Sequence, residues 1–249
     1  MPLEAIHRPI VLPAGLVSAR LVSTMAVYSF DLTTFSLVPS LGVGLGRGFD
    51  LTLIGPGVRW ADAPEGAVSR AEPTEPVLAL DYEVHRDVAQ VVMGLALRPP
   101  VLEPYGWAAS LDVRMRSAVT PWLAFAIGAE ATAYDRGTAF EFGTQAQGVA
   151  TAAVTAQLGK RVATSLAMSV VFDEFIRSAG VGPFGPQVTT ELALTVPLGL
   201  SLEVALGDDH AWGVVGLSVS FPRLASTIDD AEFRRTMLRY HTLWFGLYL

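Results

Sequence analysis

Between Trp107 and Arg116 the chain alternates without a break. Trp107, Ala109, Leu111, Val113 and Met115 are apolar, and Ala108, Ser110, Asp112, Arg114 and Arg116 fall between them. Successive side chains of a strand point to opposite sides, so this period of two reads as a β-strand with one apolar and one polar face. Three charges in five residues suit a polar face in contact with water. What the apolar face touches decides which fold the chain adopts.

The composition narrows the choice. The 249 residues are 51% hydrophobic and only 16% charged, against about 25% charged in ordinary soluble domains. Part of the surface is therefore covered by something other than water. No linker-like shift in composition divides the chain, which reads as one domain. No apolar run approaches the ~18 residues that a membrane helix needs, which excludes a helical membrane protein. A net charge of −7, with no basic stripe, argues against nucleic acid as a partner. Cysteine is absent, which removes disulfides, thiolate metal sites and cysteine nucleophiles. The opening MPLEAIHRPIVLPAG lacks a basic region followed by an apolar core, so no signal peptide is expected in this sequence. It reads as a mature or recombinant form, or as a chain that stays in the cytosol.

The two-faced pattern recurs. Leu123, Phe125, Ile127, Ala129 and Ala131 alternate with Ala124, Ala126, Gly128, Glu130 and Thr132. Leu78, Leu80, Tyr82 and Val84 oppose Asp81, Glu83 and His85; Val188, Leu192, Leu194 and Val196 oppose Thr189, Glu191 and Thr195. Tight connections are expected at Gly46–Gly48, His85–Asp87, Thr120–Pro121, Gly159–Arg161 and Pro197–Gly199. Longer polar ones are expected at 29–34, 61–75, 99–104, 135–138, 177–186 and 207–210. The two kinds alternate, which in an up-and-down meander puts all tight turns at one end and all loops at the other. The pattern predicts about twelve strands, near 15–27, 35–46, 48–59, 76–86, 88–98, 106–118, 121–134, 140–158, 161–175, 187–197, 200–207 and 211–221. Most approach the ~9–11 residues with which a tilted strand crosses a bilayer.

Strand length, asymmetric connections and an apolar alternate face make residues 14–221 resemble the outer-membrane β-barrels of Gram-negative bacteria. GLSVSF, with Gly216, Val219 and Phe221, resembles the Gly-x-x-apolar-x-aromatic form of their closing strand; LWFGLYL is a looser candidate, its Gly246 lying near the chain end. HRPIVLPAG resembles the mature start of small members of this class. The resemblance implies an all-β, transmembrane, up-and-down antiparallel barrel in the outer membrane, with tight periplasmic turns and longer extracellular loops. It divides the chain into a periplasmic segment (1–14), the barrel (15–221) and a tail (222–249).

A soluble sandwich or eight-stranded ligand barrel would turn its apolar set inward and carry many Lys and Glu outside. Lysine occurs once, at Lys160, and the polar faces are rich in Ala, Ser, Gly and Thr. The expected neighbour of Leu111, Val113, Met115, Leu123, Phe125, Ile127, Leu192 and Leu194 is thus lipid. Trp60, Tyr82, Trp107, Trp122, Tyr134 and Phe172 fall near strand ends, where interfacial aromatics anchor a barrel.

The inward set collects Arg20, Asp81, Glu83, His85, Arg98, Asp112, Arg114, Arg116, Glu130, Glu191 and Glu203. Charges of both signs in a confined lumen form either a selectivity constriction or a salt-bridged filling; Arg114 and Arg116 beside Glu130 are the foremost constriction residues. His85 reads as a solvated turn residue rather than a catalytic base. Asp208, Asp209 and His210 offer oxygen and nitrogen donors, but read as a polar hairpin tip, and neither metal nor cofactor is expected. Gly42, Gly44, Gly46 and Gly48 lack nucleotide-loop spacing and are read as easing strand curvature and a turn.

In the tail, Ser226 or Thr227 caps an expected short helix through Asp229, Asp230 and Glu232, with Arg234, Arg235 and Arg239 toward its end. Residues 242–249 return to a strand-like pattern. Functionally the sequence points to a passive channel for small hydrophilic solutes or ions. The alternatives are an envelope anchor, engaging a protein partner through 61–75 or 222–249, and in third place a lipid-modifying enzyme.

Overall fold

The structure, a computed structural model, describes residues 4–28, 33–62, 70–85, 89–100, 106–134, 143–182, 185–207, 212–226 and 237–249. Fourteen strand segments form one antiparallel sheet. They are β1 (Val17–Tyr28), β2 (Thr33–Gly46), β3 (Phe49–Ile54), β4 (Val58–Asp62), β5 (Arg70–Pro73), β6 (Val77–His85) and β7 (Gln90–Arg98), followed by β8 (Ala108–Thr120), β9 (Leu123–Tyr134), β10 (Gly143–Gln157), β11 (Val162–Gly182), β12 (Gly185–Gly207), β13 (Trp212–Ser226) and β14 (Met237–Tyr248).

Two wall strands are each made of two segments. β2 pairs with β3 through Ser40–Gly46 and with β4 through Thr33–Leu37. On their other side β3 meets β6 and β4 meets β5. The break at Gly55-Pro56-Gly57 follows from local chemistry: Pro56 has no N–H for the ladder and Gly55 takes φ +70°. The wall thus has twelve strands. It closes where β1 pairs with β2 on one side and β14 on the other.

The count agrees with the sequence pattern, but its membership differs at the C-terminal end. Residues 187–197 and 200–207, expected as two strands about a turn at Pro197–Gly199, belong to the single strand β12. Pro197 sits in a bulge, where the pairing with β13 shifts between Val196 and Leu198; a bulge accepts a residue that cannot donate to the ladder. The missing strand is β14, so the closing strand is 237–248 rather than the one carrying Gly216, Val219 and Phe221, and the wall extends well past residue 221. Gly216 has a different use. A Cβ there would stand 2.0 Å from Cζ2 of Trp244, so the missing side chain gives that ring its place. Gly216→Val is expected to displace Trp244 and cost about 1–3 kcal/mol as an overpacking change, read as a lowered urea midpoint with altered tryptophan emission.

The same correction moves one connection. Gly207 pairs with Trp212 beside the chain termini, so β12 ends and β13 begins at the tight-turn end, where a loop-end connection was expected at 207–210. Asp208, Asp209 and His210 themselves lie outside the described residues, as do Thr227 to Arg235 of the expected helix. Residues 177–186, expected as a loop, are mostly strand, since β11 runs to Gly182 and β12 starts at Gly185.

The alternation sorts the wall into two faces. Leu111, Val113, Met115, Phe125, Ile127 and Leu192 are exposed on the outside, Leu111 by 64% and Leu192 by 67%. Leu123 and Leu194 are half-buried. Inward positions carry small or polar residues that bury almost completely, such as Ala124, Ala205, Ser110 and Thr132. The outer aromatics pair along the wall: Phe49 stacks on Tyr82 at 4.4 Å, and Phe35 tilts against Trp60 at 5.6 Å. Trp107 and Trp122 are exposed at the ends of their strands.

Two expected interfacial aromatics stand elsewhere. Tyr134 lines an interior cavity at the loop end. Phe172 lies near the middle of β11 and borders the same outer hollow as Leu95 and Leu111.

Candidate functional site

The lumen holds a cavity of about 760 Å³, lined by Arg20, Arg98, Arg114 and Arg116 and by Asp50, Asp81, Asp112 and Glu130. Sheet register explains the acidic half. Asp50 pairs with Asp81, Asp81 with Gly94, Gly94 with Asp112 and Asp112 with Glu130. One row across β3, β6, β7, β8 and β9 therefore carries four carboxylates and one glycine. Strands of a barrel tilt, so a row that follows the hydrogen bonds climbs the wall as it goes round. The carboxylates rise from Asp50, near the tight turn, to Glu130, well up β9.

Gly94 makes the row possible. A Cβ at that position would lie 2.0 Å from Asp112 Oδ1 and 2.6 Å from Asp81 Oδ1, so the two carboxylates lean over it toward each other. Arg114 bridges them, donating from Nε to Asp112 at 2.6 Å and from Nη2 to Asp81. Like charges this close are tolerable because the guanidinium sits between them. Glu130 is held separately, accepting from the Thr132 hydroxyl at 3.1 Å. The neighbour of Arg114 on β9 is Gly128, so the arginine is partnered by aspartates rather than by Glu130. Gly94→Val is expected to force those carboxylates apart and cost about 1–3 kcal/mol, checked by the urea midpoint of the refolded protein.

Arg116 lies lower on the same face, held by the Gln90 side chain at 3.1 Å and the Ala5 carbonyl at 3.3 Å. Arg20 donates to the Tyr248 hydroxyl at 2.5 Å and lies over its ring. Arg98 lines both this cavity and a second, of about 410 Å³, at the loop end. Glu83 and His85 end β6 near the tight turn. Glu191 belongs to β12 by its backbone, while its side chain lies outside the described residues.

Glu203 has a partner absent from the sequence reading: Arg8 of the N-terminal segment. The N-terminal segment, expected as a periplasmic stretch over 1–14 ahead of the barrel, crosses the tight-turn mouth with its described residues 4–14. The Ala5 N–H donates to Gln157 at 2.9 Å, that of Ile10 to Gln90 at 3.0 Å and that of Leu12 to Asp50 at 2.7 Å. Arg8 stacks over Trp212 at 4.7 Å, and Leu12 and Leu16 pack on the cluster of Trp212, Val214 and Tyr248. Asp50, Gln90 and Gln157 were not among the sequence candidates, nor was Arg8. Their signal was positional: Asp50 follows Gly48 by two residues, and Gln157 precedes Gly159 by two. Each is a polar inward residue at the barrel rim. Among the described residues no cluster of His, Asp and Glu is arranged to hold a metal ion.

No protein-family model matches the sequence, and no curated protein matches it significantly. Its fold matches solved structures. The COG4313 outer membrane channel from Pseudomonas putida F1 superposes with a TM-score of 0.67 at 11% identity, covering 96% of this chain and 97% of that one. The NanC porin superposes with a TM-score of 0.56 at 9% identity, covering 92% and 98%. At such identities the likeness is one of fold, that of a closed antiparallel β-barrel.

Proposed function

We propose that this protein is an outer-membrane channel that passes small hydrophilic solutes or ions passively, its tight turns toward the periplasm and its loops outside the cell. The observation that carries the reading is the charged cavity inside a closed barrel whose outer face is apolar. A soluble barrel gains nothing by exposing Leu111 and Leu192, whereas in a bilayer those side chains meet acyl chains. The two solved structures support the same reading, since both are named as a channel or a porin. Carboxylates and guanidiniums on one wall act on passing ions through their field, without any covalent chemistry.

The alternative of an envelope anchor assigned a partner to residues 61–75 and 222–249. Residues 61–62 and 70–73 of the first stretch and 222–226 and 237–248 of the second are barrel wall, in β4, β5, β13 and β14, and are not free for an external partner. Liposome swelling with sugars and amino acids of graded size tests the reading. Channel function predicts uptake of small solutes that falls with size. Swelling no faster than in protein-free vesicles, with insertion verified, would leave the anchor.

A further inference from the structure

The N-terminal segment lies where a solute must pass. Its wall partners stand on β3, β7, β8, β10 and β12, more than half of the circumference, so the segment crosses the bore instead of lining one side. Ile6 and Val11 are each only 3% exposed and Arg8 8%. Such burial is unusual for a stretch with one 3₁₀ turn, Ala5–His7, because its backbone must find partners outside itself. The wall supplies them through Gln157, Gln90 and Asp50.

The segment meets the wall backbone to backbone at Gly44 on β2. The Gly44 N–H donates to the Leu16 carbonyl and the Gly44 carbonyl accepts from the Gly15 N–H, both at 2.9 Å. A Cβ on Gly44 would fall 1.9 Å from the Pro13 carbonyl oxygen. No side chain fits there while the segment is in place. This glycine is thus a seat for the segment, beyond any role in strand curvature.

We propose that residues 4–13 set the size limit of the channel. The narrowest point is then the tight-turn mouth, held by Arg8 on Glu203 and Leu12 on Asp50, and not the Asp81–Arg114–Asp112 cluster higher in the lumen. The proposal rests on the channel reading. It assigns the size limit to a piece of chain that can be removed without touching the wall.

Single-channel conductance in planar bilayers tests it with three proteins: the parent, a variant lacking residues 2–12, and full-length Gly44→Val, in which the new side chain occupies the Pro13 position. Heat-modifiable mobility on gels establishes that each barrel is folded, and the point variant serves if the deletion does not fold. Both variants are expected to conduct several-fold more than the parent and to admit neutral polymers that the parent excludes. Arg114→Gln is expected to leave the polymer cutoff unchanged. A folded variant with the parent's conductance and cutoff overturns the proposal while the channel stands. Silence from all three, with insertion verified, overturns the channel reading and the proposal together.

Discussion

Val113→Arg is expected to cost about 2–4 kcal/mol of barrel stability and to impair insertion, as an arginine does on a barrel face that meets lipid near the bilayer midplane, the environment proposed for Val113. Val113 is next to the centre of β8, exposed by 47% on the outer face, and its register partners are Met93 on β7 and Ala129 on β9. Neither neighbour offers a counter-charge. The matched control is Ser110→Thr, three residues away on the inner face, where Ser110 already shares a 2.8 Å hydrogen bond with Thr132; it should change stability far less. Urea titration of refolding into vesicles measures both. An arginine at 113 that folds with the parent's midpoint would mean that this face does not meet lipid.

Arg114→Gln is expected to swing the reversal potential of the conducting channel toward cations. The substitution removes one positive charge and uncovers two carboxylates, Asp81 and Asp112, that it now bridges. Asp112→Asn should move the potential the opposite way. Arg116→Gln should do less, because Arg116 is engaged with Gln90 and the Ala5 carbonyl at the mouth. Charges facing water are screened within about 10 Å at 0.1 M salt and about 3 Å at 1 M, so the shift should shrink as salt rises. An unchanged potential in a channel that still conducts would remove Arg114 from the permeation path.

Most of the wall was legible in the sequence because a strand with unlike faces writes its period directly into the residue order. The stretch from Trp107 to Arg116 gives β8 its faces with no tertiary information. Difficulty began where local chemistry is ambiguous. Pro197 and Gly199 carry turn signals, yet the pairing of β12 with both neighbours overrides them and turns the proline into a bulge. β14 was obscured by a polar stretch before it and by a closing signature at Gly216–Phe221 that belongs to its neighbour. The mouth of the lumen was harder still. Nothing in HRPIVLPAG states that Arg8 meets Glu203, 195 residues away, and Gly44 reads equally as strand curvature or as a seat for another piece of backbone. The salt-bridged trio was half legible: the sequence places Asp81, Asp112 and Arg114 on one face, but only the register brings β6 and β8 to either side of Gly94.

A polar lumen inside a lipid-facing wall requires the two faces of each strand to meet different surroundings, and cysteine scanning of β8 tests that most directly. The chain has no cysteine, so each position from Ala108 to Met115 can carry the only thiol. In proteoliposomes the thiols at 108, 110, 112 and 114 are expected to react with a small membrane-impermeant methanethiosulfonate entering the lumen. A fluorophore at 109, 111, 113 or 115 is expected to be quenched by brominated lipid. Reaction and quenching should therefore alternate with a period of two. Uniform aqueous reactivity at all eight positions, or quenching on the set that includes Asp112 and Arg114, would contradict a barrel with a polar lumen and a lipid-facing outer wall.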